Sequence, residues 1–111
     1  IFYREEGDVI HIPYLFGASL LKTIPNVNNF FAETSYIFTG TLRENQIGVE
    51  EEAWCQLEKY GTSTLALYPG YGKTILGAKL ASRSHLITLV LVHREILTIQ
   101  WRKTFQDVTN A

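Results

Sequence analysis

Two compact apolar runs, STLALY at 63–68 and SHLITLVLVH at 84–93, are separated by a glycine turn and a stretch of helical periodicity. No other feature of the chain constrains its fold as much. Short apolar runs of this kind are the pattern of strands covered on both faces, as in parallel sheets. Parallel strands need a crossover, and KTILGAKLAS, Lys73 to Ser82, supplies one in helical form. Beyond His93, the residues Ile96, Leu97, Trp101 and Phe105 recur on one face of a further helix. The order strand, turn, helix, strand, helix predicts an α/β fold built on a right-handed βαβ unit with a parallel strand pair.

Upstream of these runs, Ile47, Val49, Ala53, Trp54, Leu57 and Tyr60 recur at helical intervals, and Gly61 follows as a stop. Glu50, Glu51 and Glu52 are assigned to the solvated side of that helix, since three consecutive carboxylates point in different directions. Trp54 and Trp101 fall on apolar stripes and are expected to pack, as is the small side chain of Cys55. Residues 1–40 have another character. VIHIP alternates like a half-buried strand until Pro13, PYLFGASLLK reads as a turn or short helix, 23–34 as a loop and SYIFTG as a short strand. The chain therefore divides into a small β-rich segment, 1–40, and a second unit, 41–111.

Charge and cysteine content narrow the partners. Ten basic residues against eleven acidic ones leave a net charge of -1, so a hold on nucleic acid must come from a local patch. A single cysteine excludes an internal disulfide framework, and no apolar run reaches the roughly 18 residues that would span a bilayer. His11, His85 and His93 lack the spacing of zinc ligands. An intracellular setting, nucleus or cytoplasm, is expected, with no membrane partner. The chain starts at Ile1, contains no methionine and stops straight after a strong helical pattern, so it reads as a piece of a longer polypeptide whose remainder is a partner.

The turn itself, YPGYGKT at 68–74, admits two interpretations: a cradle for phosphates, or an ordinary strand-to-helix corner. A polyphosphate needs many donors directed inward from a short length of chain. Gly70 and Gly72 can take positive φ and let the backbone approach closely, and a helix starting near Lys73 aims free N–H groups at the same place. Lys73 could reach the β- and γ-phosphates, and the Thr74 hydroxyl could ligate Mg²⁺. The long phosphate-loop pattern would want glycine where Leu67 stands, whereas the shorter form G-x-G-K-T is complete from Gly70 to Thr74.

Three segments together carry a family resemblance. YPGYGKT resembles motif I of superfamily 2 helicases and translocases, LRENQ at 42–46 the L-R-x-x-Q segment before it, and LVLVHREILTIQWRKTF at 89–105 motif Ia with its following helix. VIHIPYLFG at 9–17 is similar to a segment preceding the motor core in the branch of the eukaryotic repair and transcription helicase and its large-DNA-virus relatives, although Tyr14 stands where that branch often has arginine. The resemblance implies a partial RecA-like P-loop NTPase domain over 41–111. It implies ATP and Mg²⁺ as cofactors, held by Pro69, Gly70, Tyr71, Gly72, Lys73, Thr74 and Ile75, with Lys73 and Thr74 catalytic and Thr74 on the metal. Gln46, helped by Arg43, would read the adenine edge. His93, Arg94 and Glu95 would face a nucleic-acid backbone, DNA ahead of RNA.

The carboxylate motif that holds the metal-bound water in such motors does not follow within these residues, nor does a second motor domain. The expectation is an enzyme part that is inactive alone. The same loop would also suit a P-loop kinase or small-molecule NTPase, which would owe nothing to LRENQ or VHREIL, or an interaction module with a vestigial loop.

Overall fold

The computed structural model describes residues 3–22 and 32–111. It is mixed α and β. A hairpin opens it: β1 (Arg4–Glu6) pairs antiparallel with β2 (Val9–His11), with Arg4 opposite His11 and Glu6 opposite Val9. Gly7 turns the hairpin at φ 61°. Both strands are exposed along their length, so the half-buried strand expected at VIHIP is a solvated one, with no layer of described residues over either face. Helix α1 (Tyr14–Leu21) follows Pro13, whose fixed φ of -55° suits a helix entrance. The expected loop over 23–34 lies, as far as residue 31, outside the described residues.

Three helices make up the rest: α2 (Glu44–Tyr60), α3 (Lys73–Ser84) and α4 (Glu95–Val108). Gly61 ends α2 in the left-handed conformation, its N–H donating to the Leu57 carbonyl at 2.9 Å. That end follows from glycine lacking the Cβ that penalises positive φ. Helix α3 runs two residues further than its pattern predicts and closes on His85, a non-glycine residue at φ 55°. Helix α3 packs against both α2 and α4. The α3–α4 contact is close because Gly77 has no side chain: a Cβ there would come within 2.6 Å of the Trp101 ring. Trp101 continues into Phe105 and Phe105 into Tyr36, each pair with centroids 6.2 Å apart.

Among the described residues the buried apolar ones, Leu76, Ala78, Ala53 and Tyr71, lie on α2, on α3 and in the turn between them, so the core sits beside that turn. The inward face of α2 is more polar than its stripe suggests. Gln46, Glu50 and Ala53 are buried, whereas Ile47 remains half exposed. Glu50 therefore leaves the solvated face assigned to it. Arg83 of α3 reaches across at 2.7 Å to Glu50 and 2.9 Å to Glu51, with its guanidinium 4.5 Å over the Trp54 ring. A buried carboxylate is tolerated when a cation meets it with good hydrogen-bond geometry. The bond to Glu50 in turn holds the Arg83 guanidinium above its ordinary value. Cys55 is exposed, not packed, because it sits on the side of α2 away from α3.

The two apolar runs are extended but do not pair with each other. Over 62–68 and 87–92 no strand ladder forms among the described residues, and the expected parallel pair is absent. A crossover fixes handedness, not adjacency, so two strands joined by a helix need not be neighbours in a sheet. What the second run does find is antiparallel: Leu86 bridges Glu33, and the Ile87 N–H donates to the Ala32 carbonyl at 2.9 Å. Its faces then alternate, with Val90 and Val92 half buried on one side and Leu89 and Leu91 bare on the other. The short strand expected at SYIFTG amounts to one bridge, Phe38 to Thr109, supported by Asn110 Oδ1 accepting from the Ile37 N–H at 2.7 Å. Residues 32–40 are thus bonded to α4 and to the second run.

Candidate functional site

The turn between the first run and α3 holds Gly70 at φ 83° and Gly72 at φ 89°. Both expected glycines therefore occupy the left-handed region, where a Cβ is penalised. Gly72 serves as the N-cap of α3, its carbonyl accepting from the Leu76 N–H at 3.0 Å. The N–H groups of Gly72, Lys73, Thr74 and Ile75 have no acceptor among the described residues. The first amides of a helix lack intrahelical partners, and no side chain caps these. The Lys73 ammonium and Thr74 hydroxyl are likewise without protein partners among the described residues. A cation, a hydroxyl and a run of free donors thus gather at the positive end of a 12-residue helix.

The opposite side of the turn is tied down. Arg43 Nη2 donates to the carbonyls of Gly70 at 3.1 Å and Tyr71 at 2.5 Å, and Gln46 Nε2 donates to the Tyr71 carbonyl at 2.8 Å. Gln46 Oε1 in turn accepts from the Arg43 N–H at 2.8 Å, closing the first turn of α2. The side chain of Gln46 is 1% exposed, and both of its polar ends are engaged within the chain. Gln46, expected to read an adenine edge, here links α2 to the loop. Pro69 is exposed and Ile75 half buried beside the free amides. Tyr71 is buried, its ring edge-on to Tyr68 with centroids 5.1 Å apart.

His93, Arg94 and Glu95 stand exposed where the second run enters α4. Arg94 is the N-cap of α4, and its carbonyl accepts from the Leu97 N–H at 3.1 Å. Its guanidinium has no carboxylate partner among the described residues. Glu95 lies in the first helical turn, where a negative charge suits the helix dipole regardless of any ligand.

Sequence patterns did not single out Asn45, whose backbone carbonyl accepts from the Tyr71 hydroxyl. A backbone acceptor leaves no trace in residue identity. The Glu50–Arg83 pair was also missed, although Gln46, Glu50 and Ala53 share the i, i+4, i+7 spacing of one helix face.

Among the described residues no helix is long and apolar enough to cross a membrane. Comparison with known proteins gives a consistent set of likenesses. A domain model described as "Type III restriction enzyme, res subunit" matches residues 39–111. The chain is 35% identical over 104 residues to an inferred helicase of Invertebrate iridescent virus 6, covering 94% of this chain and 23% of that protein. It is 32% identical over 102 residues to an inferred helicase of Frog virus 3 (isolate Goorha), covering 92% of this chain and 23% of that protein. It is also 32% identical over 112 residues to an inferred ATP-dependent RNA helicase of Acanthamoeba polyphaga mimivirus, covering 98% of this chain and 22% of the relative. The chain spans less than a quarter of the length of these three relatives. No solved structure matches it. With the family model matching well over half of its length, from before α2 to the last residue, the chain belongs to the type III restriction enzyme res subunit family.

Proposed function

We propose that this chain is the nucleotide-binding front part of an ATP-driven helicase or translocase. Residues 41–111 are the first part of a RecA-like domain, the residues 32–40 are fastened to it, and the hairpin belongs to a separate N-terminal segment. The observation that carries the proposal is the row of free N–H groups at 72–75 beside an unpaired Lys73. Such a row binds a polyphosphate without first breaking protein hydrogen bonds. The names of the viral relatives support the same activity.

In this arrangement Gly70, Gly72 and the amides through Ile75 surround the β- and γ-phosphates, and Lys73 neutralises charge there. The Thr74 hydroxyl would hold Mg²⁺, which would supply charge neutralisation at the phosphates. Arg94, without a carboxylate partner among the described residues, meets a nucleic-acid backbone without reading sequence. One relative is named an RNA helicase, and the proposed partner is nucleic acid, DNA or RNA.

The test is titration of the 111-residue chain with a fluorescent ATP analogue in Mg²⁺. Wild type is expected to bind without appreciable turnover. Lys73→Ala is expected to lose at least about tenfold in affinity, the scale of one charge-assisted contact of about 1.5–3 kcal/mol. Equal affinity in the two proteins would refute the proposal.

A further inference from the structure

The middle residue of Gly70-Tyr71-Gly72 is held at every polar atom it owns. Its hydroxyl donates to the Asn45 carbonyl, its carbonyl accepts from Arg43 and Gln46, and its N–H donates to the Tyr68 carbonyl at 3.3 Å. Its ring is 8% exposed and rests against Tyr68. The glycines on either side are in conformations that cost a flexible residue much entropy to hold. A loop with two such residues does not keep its amides in place unaided, and something must fix it before a ligand arrives.

Peptide planarity says what the fixing achieves. In a trans peptide the C=O and the following N–H point in opposite directions. With the Tyr71 carbonyl drawn onto Arg43 and Gln46 of the α2 entrance, the Gly72 N–H is turned away from α2, and the amides of 73–75 that follow it are also without acceptors among the described residues. Gly72 adds to the lock, since a Cβ there would lie 2.3 Å from Gln46 Nε2.

We infer that Tyr71 is a positioning residue: hydroxyl on Asn45 and carbonyl on Arg43 and Gln46, it locks the Tyr71–Gly72 peptide so that the Gly72 N–H faces bound phosphate. The inference rests on the phosphate-binding function proposed above. It makes the Arg43–Gln46 pair serve loop geometry, a contribution shared by all triphosphates alike.

Tyr71→Phe keeps the ring and removes the donor. Binding of ATP and of inorganic tripolyphosphate to the 111-residue chain, both in Mg²⁺, is to be measured by calorimetry alongside ligand-free amide NMR spectra. The variant is expected to lose about 3- to 10-fold affinity for both ligands by the same factor, the range of one hydrogen bond. The Gly72 and Lys73 amide resonances should shift without ligand, and the melting midpoint of the folded chain should fall by only a few degrees, about the scale of one hydrogen bond. Arg43→Ala, at an exposed position, should reproduce the equal loss and serves as the second variant if Tyr71→Phe does not fold. Unchanged affinities, or a loss confined to ATP, would overturn the lock. If wild type binds neither ligand, the phosphate function fails on its own, and the ligand-free resonances still decide: an unmoved Gly72 amide overturns the lock, and a shifted one supports it.

Discussion

The corner formed by α2, the glycine turn and α3 differs from the extended run 86–92 in how its contacts are satisfied. In the corner, Arg43, Gln46, Tyr71, Glu50 and Arg83 satisfy one another within some forty residues of chain, and Leu76 is fully buried beneath them. The run has far less closure: Ile87, Leu89 and Leu91 are 69%, 81% and 83% exposed, and among the described residues only its first residues bond to other backbone. Polar pairing with directional bonds can complete a site locally. Apolar strands need a neighbour about 4.8 Å to the side and a layer about 10 Å above before their burial is realised.

The sharpest way to break this contrast is Gly72→Ala. It places a Cβ at φ 89° and 2.3 Å from Gln46 Nε2, adding roughly 1–2 kcal/mol of backbone strain and disturbing a bond worth about 1 kcal/mol. A fall in melting temperature of the order of 10 °C is expected by calorimetry, and a melt like that of wild type would show that the corner is not closed by these contacts. A smaller effect is expected for Arg83→Ala. The Glu50 side chain, 6% exposed, would lose its cation and Trp54 its stacked guanidinium, yet Arg83 itself is 31% exposed and screened. About 1–2 kcal/mol is expected from urea melts, and a double-mutant cycle with Glu50→Gln would recover most of it as coupling. Least is expected of Leu89→Lys in the run. With 81% of the residue already in water, stability should move by under about 0.5 kcal/mol, and a larger loss would mean that this face is covered.

Much of the corner was legible in the residues. Helical spacing located α2, α3 and α4 closely, because 3.6-residue periodicity is a local signal and Gly61 marks its own position. Gly70 and Gly72 could be read as positive-φ positions because no other residue type suits them as well. Harder to read were interactions closed across distance in sequence. Glu50 is buried only because Arg83 arrives 33 residues later, and Gln46 faces the loop because a carbonyl 25 residues away needs a donor. The two apolar runs declared that they would be extended but not what would flank them, since ladder partners are chosen by the whole sheet. Which residues meet base, metal or polynucleotide was carried by resemblance and by loop chemistry, since periodicity encodes packing and not ligand contact.

The bare Cα of Gly77 under the Trp101 indole binds the fates of two positions on separate helices. Any methyl added at 77 must be matched by a narrower ring at 101, so these sites can drift only in step. A single change at either one opens a void or forces α3 and α4 apart.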